Sequence, residues 1–144
     1  MSLSSSAPWL KYYGNVPQHL SYPQKTIYQM VKAAAERNPK LPAYEFMGKK
    51  TTFTQFMQKI DETAQAFLAM GIKKGDRVTI CMPNCPQAIY MFYAVNLVGG
   101  IANMIHPLSA EKEIEFYLNA SESVAAVTLD QFYNCLLYTS DAAD

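Results

Sequence analysis

The chain has 144 residues, 50% of them hydrophobic and 17% charged, a balance that suits one folded domain with its own core and argues against disorder. Lys plus Arg and Asp plus Glu stand at 12 each, so no charge bias points to nucleic acid or an anionic membrane. The opening MSLSSSAPWLKYYG has neither a charged n-region nor the apolar run of a secretory signal, no stretch reaches the ~18 apolar residues of a membrane span, and three cysteines are too few for a disulfide framework. These features make the cytoplasm the expected location.

Residues 1–21 carry Pro8, Gly14 and Pro17 among Trp9, Tyr12 and Tyr13, and read as an irregular arm pinned by those aromatics. Thr26 and Gln29 have the spacing of a capping box, opening a helix to about Asn38 with Ile27, Met30, Val31 and Ala34 on its inner face and Pro39 after its end. Residues 43–47 and 50–52 flank Gly48 as a small hairpin. The clearest helix spans 54–70: Phe53, Phe56, Met57, Ile60, Ala64, Phe67 and Leu68 form one apolar stripe, and Gly71 stands where a left-handed cap is wanted.

The centre of the chain, residues 71–107, reads as strand, helix, strand. Gly75-Asp76 is a turn, RVTICM (77–82) a buried strand, and Pro86 the first position of a helix that Asn84 would cap. That helix, 86–98, is apolar nearly all round. Gln87, Tyr90, Tyr93 and Asn96 leave one narrow polar stripe, so the helix must be covered on most sides. Gly99-Gly100 ends it and IANMI (101–105) is the second strand, which makes a right-handed parallel crossover. Ser109 would cap a further helix to about Asn119, with Glu111 and Glu113 near its positive end, and VAAVTL (124–129) is a third parallel strand. The alternation predicts an α/β fold with a doubly wound sheet.

The order GIKKGDRV, MPN, Pro86-Gln87, apolar helix, Gly99-Gly100 and a strand ending at His106-Pro107 resembles the AMP-forming acyl-CoA synthetases, within the adenylate-forming enzymes. TTFTQF before the long helix and PLSAEKEIEFYLNAS after the second strand extend the likeness from about Trp9 to Tyr133. The resemblance implies the N-terminal part of that family's large N-terminal domain, with residues 22–134 a partial AMP-binding domain. It implies a ligase that activates a carboxylic acid with ATP as an acyl-adenylate and passes it to CoA, most like those acting on fatty acids, with Mg2+ as a further cofactor. Another adenylating enzyme, such as an aryl-CoA ligase or a peptide-synthetase adenylation domain, stays open, as does a small non-catalytic α/β binding module.

The family's phosphate loop, adenine segment, ribose-binding Asp and C-terminal catalytic Lys match no position here. The resemblance therefore assigns no catalytic, cofactor-binding or metal residue to this chain, and the piece is expected to be inactive and to bind none of the cofactors. The residues themselves agree. GIKKG follows a helix and enters a strand, the reverse of a phosphate loop, and Gly99-Gly100 is a helix stop. Cys81 and Cys85 lack further ligands nearby and read as small buried hydrophobes. His19 and His106 have no partner at catalytic spacing, although His106 ends a strand on what the family makes its substrate side. Asp61 and Glu62 are adjacent on one helix and should face water rather than converge. Tyr12, Tyr13, Tyr90 and Tyr93 read as packing residues.

Residues 135–144, CLLYTSDAAD, break the α/β pattern. Back-translated as TGT CTC TTA TAC ACA TCT GAC GCT GCC GAC, they match a transposase adapter of short-read library preparation codon by codon, so a translated adapter is expected. Without Asp141 and Asp144 the acids fall from 12 to 10 against 12 bases, a balance of +2 that still implies no charged partner.

Overall fold

The computed structural model describes residues 7–132; the expected adapter tail at 135–144 lies outside them. Before the first helix the chain makes one 3-10 turn, Leu10–Tyr12, with no buried residue. Its hydrogen bonds are local, such as Tyr12 N–H to the Trp9 carbonyl, and Trp9 and Tyr12 are 52% and 78% exposed. Trp9 and Tyr12 therefore do not pin the arm, and Tyr13 is half-buried. No helical or alternating period gathers them onto one face.

Helix α1, Ile27–Arg37, starts with the expected capping box: Gln29 N–H donates to Thr26 Oγ1, and Thr26 N–H donates to Gln29 Oε1. Its covered face differs from the expected one. Ile27 and Met30 are exposed, while Ala35 is buried and Tyr28 and Val31 pack on the core. Strands β1, Pro42–Phe46, and β2, Lys49–Thr52, pair antiparallel around Met47-Gly48. Both turn residues have positive φ, 48° and 78°, the geometry that follows strand twist in a two-residue hairpin.

Helix α2, Phe53–Ala69, starts one residue before the reading of the sequence because Thr52, with Gln55, makes a second capping box. The apolar stripe holds: Phe56, Ile60, Ala64 and Phe67 are buried, and only Leu68 at its far end is exposed. Strand β3, Arg77–Cys81, helix α3, Pro86–Val98, and strand β4, Ile101–Ile105, form the crossover, with β3 and β4 parallel. Helix α4, Glu111–Ser121, returns the chain to β5, Ala125–Thr128, which pairs parallel with the other side of β3.

The sheet order is β4-β3-β5, so the crossover from β3 to β4 and the one from β4 to β5 run in opposite directions across the sheet. Right-handed connections then put α3 and α4 on opposite faces, which makes this a partial doubly wound sheet. Val78 and Ile80 point to the α2–α3 side and join its core cluster. Thr79 and Asn103 point the other way, toward Ser121 of α4.

Two expected caps are corrected. Cys85, not Asn84, is the N-cap of α3 and makes no side-chain cap; Pro86 at the first helical position moves the boundary past Asn84, which is exposed. Ala110, not Ser109, precedes α4. Ser109 belongs to the preceding turn, its N–H donating to the His106 carbonyl, and Glu113 accepts the Ala110 N–H instead.

The polar stripe of α3 is turned partly inward: Gln87 is exposed, while Tyr90, Tyr93 and Asn96 are half-buried. Tyr93 packs edge-on against Phe56 of α2, with ring centres 5.7 Å apart. Asn96 Oδ1 accepts the Tyr28 N–H at 3.0 Å, one of the first-turn donors of α1 that no helix can satisfy internally. Replacing Asn96 by Ala is therefore expected to cost about 1 kcal/mol and to fray the start of α1. Hydrogen exchange at Tyr28 should accelerate roughly fivefold or more, with α2 unaffected; equal acceleration in both helices would contradict this role.

Candidate functional site

Open α/β sheets place their sites outside the carboxyl ends of the strands, where the connections diverge. Here those ends are Cys81 running into Met82-Pro83-Asn84, Ile105 into His106-Pro107, and Thr128 into Leu129. Their chemistry is sparse. Thr128 Oγ1 donates to the Cys81 carbonyl at 2.9 Å, which ties β5 to the end of β3. His106 is exposed, and its Nδ1 accepts the Leu108 N–H at 3.2 Å, so the ring braces its own turn. That bond leaves Nδ1 without a proton and any neutral-ring proton on Nε2. Asn84 is exposed beside it in the sheet order.

The other residues singled out in the sequence lie elsewhere. Gly71 and Gly75 have φ of 87° and 89° in the loop between α2 and β3, where Asp76 Oδ2 accepts the Lys73 N–H at 2.7 Å, so GIKKG is a turn. Gly99 is the left-handed cap of α3 at φ 82°, and a Cβ there would also crowd Lys74. Cys81 and Cys85 are both buried. Tyr90 and Tyr93 pack on the core, Tyr13 is half-buried, and Tyr12 and His19 are exposed. Asp61 and Glu62 do diverge, though not simply into water. Asp61 accepts from the Tyr28 hydroxyl at 3.1 Å, whereas Glu62 pairs with Lys59 at 2.8 Å. Hydrogen bonds from Lys59 and then Gln58 hold the Glu62 carboxyl below its usual range.

Sequence reasoning missed a groove of about 480 Å³ between the hairpin and the two central helices, lined by Tyr44, Lys49, Gln55, Lys59 and Tyr90 among others. Burial pushes the Tyr90 hydroxyl above its ordinary pKa, so at neutral pH it is a protonated phenol. Most polar groups of this groove are already engaged: Gln55 in the capping box, Gln58 and Lys59 with Glu62. The sequence signal was the aromatic pair Tyr44 and Phe46 on the hairpin, but only the docking of that hairpin on α2 and α3 makes a groove of them.

The described residues do not fit a magnesium-bound nucleotide. Both strand-to-helix turns at the carboxyl edge contain proline (Pro83, Pro86 and Pro107), which removes backbone N–H donors where a phosphate would be cradled. Neither turn holds a Lys or Arg, and among the described residues no group of three or more His, Cys, Asp or Glu gathers as a metal site.

Comparison with known proteins decides the family. The profile of the family described as "AMP-binding enzyme" matches residues 31–143. The chain belongs to that family. A long-chain-fatty-acid–CoA ligase of Bacillus subtilis is 36% identical over 132 residues, covering 91% of this chain and 24% of the ligase. A protein of the same name from Yersinia pestis is 33% identical over 135 residues, covering 89% of this chain and 23% of that protein. Among solved structures, the N-terminal domain of FACL13 from Mycobacterium tuberculosis superposes with a TM-score of 0.73 at 29% identity, covering 83% of this chain and 31% of that domain. Coronafacic acid ligase from Pectobacterium brasiliense, at 21% identity and a TM-score of 0.77, shares the fold. The chain thus spans about a quarter of the length of the curated relatives it matches. Among the described residues no helix is long and apolar enough to cross a membrane.

Proposed function

We propose that this chain is the N-terminal portion of an AMP-forming acid–CoA ligase whose substrate is a fatty acid. The observation that carries this is the 36% identity to the Bacillus subtilis ligase over 91% of the present chain. In the reaction a carboxylate oxygen attacks the α-phosphorus of ATP, forming an acyl-adenylate and releasing pyrophosphate. The CoA thiol then attacks the acyl carbonyl; the C–S bond forms, the C–O bond to AMP breaks, and the thiol proton passes to solvent. Residues 7–132 contribute the scaffold for this: three parallel strands, and helices that fix where their carboxyl ends lie. ATP, Mg2+ and CoA are held by the remainder of the ligase, the acid–base and phosphate-binding groups lie there too, and the enzyme works in the cytoplasm.

The reading is tested with two proteins, this chain and the complete reading frame recovered from the source DNA. Both are assayed for carboxylate-dependent exchange of labelled pyrophosphate into ATP and for thioester formation, with fatty and aromatic acids. The chain should be silent and the complete protein should form fatty acyl-CoA. Exchange by the chain would place catalysis within it and overturn the account. Exchange by the complete protein without a CoA thioester would move it to the carrier-protein adenylation branch. Residues 135–144 are proposed to be adapter-derived, so no peptide spanning residues 133–137 should be found by mass spectrometry of the source sample; detecting one refutes that origin.

A further inference from the structure

The groove of about 480 Å³ between the hairpin and helices α2 and α3 falls within the size range of small-molecule sites. Its hairpin wall is set by strand register. Phe46 pairs with Lys49 and Tyr44 with Thr51, so these four side chains share one face of the two-stranded sheet. Glu45, the hairpin's one acid, belongs to the opposite face, where it lies 3.9 Å from Lys50. Tyr44 is held by an edge-on contact with Phe56, ring centres 5.5 Å apart.

The polar groups that α2 brings to the groove are engaged on that helix, but those of the hairpin and α3 are not. Among the described residues Lys49 has no ion-pair partner, and the hydroxyls of Tyr44, Thr51 and Tyr90 make no hydrogen bond. All three hydroxyls belong to half-buried residues, where a polar group left without a partner is costly. The Tyr90 hydroxyl lies within electrostatic reach of Tyr44 and Lys59, so the donors converge. Lys49 and Lys59 are the charged residues of the lining, which holds no Asp or Glu. Glu62 already balances Lys59. One uncommitted ammonium therefore stands beside three hydroxyl donors and the aromatic walls of Tyr44, Phe46 and Tyr90.

We propose that this groove binds a small amphipathic carboxylate, with its carboxylate at Lys49 and its apolar body along Phe46 and Tyr90. One ammonium balances one negative charge, which suits a carboxylate better than a phosphate dianion. The neighbouring hydroxyls can donate to the same two oxygens. The aromatic walls select a ligand with a chain or ring over a bare anion. This is a binding site apart from the adenylation chemistry, and it does not rest on the ligase reading.

The probe is decanoic acid carrying a photoreactive diazirine on its chain, applied to this chain and to the complete protein recovered from the source DNA. Mass spectrometry of the irradiated proteins locates the label. It should fall saturably on the hairpin and the first turns of α3 in both proteins, and plain decanoate should displace it. Lys49→Glu should cut labelling there about tenfold or more, since it removes the charge-assisted bond and adds repulsion. Lys50→Glu makes the same change on the other face of the hairpin and should leave labelling near the parent level. Lys49→Gln repeats the test with a smaller change, and unaltered hydrogen exchange in α2 certifies the fold of each variant. Labelling that ignores both Lys49 substitutions, or that falls equally with Lys50→Glu, would overturn the inference. Equal displacement by decanol, which has the chain without the charge, would overturn it as well, and stronger displacement by decyl phosphate would refute the carboxylate. A hairpin labelled in this chain but not in the complete protein would mean a groove closed by the rest of the molecule, and would also overturn it. Thioester formation is read separately, so either proposal can fail without the other.

Discussion

Replacing Ile60 by Ala is expected to lower the stability of the α2–β3 core by roughly 2–5 kcal/mol, the range for truncating a large buried aliphatic side chain. Ile60 has no exposed surface, sits in the middle of α2, and belongs to the cluster that contains Phe56, Ala64 and Phe67 on its own helix and Val78, Ile80 and Val95 beyond it. The cost has two parts: the transfer free energy of the lost methylenes, and a cavity that close-packed neighbours fill only in part. Against a typical total of about 5–15 kcal/mol for a domain, this is a large fraction. Hydrogen exchange on the chain at low micromolar concentration should show the β3 amides opening about a hundredfold faster, since roughly 1.4 kcal/mol corresponds to a factor of ten. Leu68→Ala is the internal control. It lies on the same predicted stripe but is 58% exposed, and should change β3 exchange little. If the two substitutions act equally, the burial assigned to Ile60 is wrong.

That contrast shows what the sequence made legible and what it did not. The period of α2 identified its buried face because one helix face meets one core, and each residue's fate follows from its angle. The crossover was equally readable: Gly75-Asp76, Pro86 and Gly99-Gly100 are backbone constraints that act locally. The covering of α3 was not. Its apolar residues run all round, so period cannot choose an inner face, and the choice falls to particular pairings such as Tyr93 with Phe56 and Asn96 with the Tyr28 N–H. The caps failed for a related reason. Asn84 and Ser109 are residue types that suit a cap, but Pro86 and the His106–Ser109 turn fixed the boundaries one residue later. At the site the limit is different. The resemblance named a chemistry whose groups match no position here, and the grooves around Tyr44 exist only once the hairpin, α2 and α3 are assembled.

Thr79 carries the second large effect. It is fully buried on the α4 face of the central strand. Its hydroxyl accepts from Asn103 Nδ2 at 2.9 Å and lies 2.7 Å from Ser123 Oγ, which in turn lies 2.8 Å from Ser121 Oγ. Ser121 also receives the second Asn103 amide proton at 3.1 Å, and its own hydroxyl donates to the Leu118 carbonyl at 3.2 Å. Each hydroxyl has one proton, so the direction of the chain is fixed. Thr79 donates to Ser123, Ser123 to Ser121, and Ser121 to the backbone of α4. The network locks the end of α4 against β3 and β4, with every member satisfied. Thr79→Val keeps the shape but removes one acceptor from Asn103 and one donor to Ser123, leaving both half-buried groups short of a partner. The expected cost is roughly 1–3 kcal/mol, because an orphaned buried polar group forfeits its desolvation free energy as well as the bond. Thr79→Ser keeps the hydroxyl and loses one methyl, so it should cost about 1 kcal/mol or less and leave the network intact. Exchange of the α4 amides should therefore accelerate on Thr79→Val and stay near the parent rate on Thr79→Ser. The reverse order would mean that packing of the methyl, not the hydroxyl chain, holds α4 to the sheet.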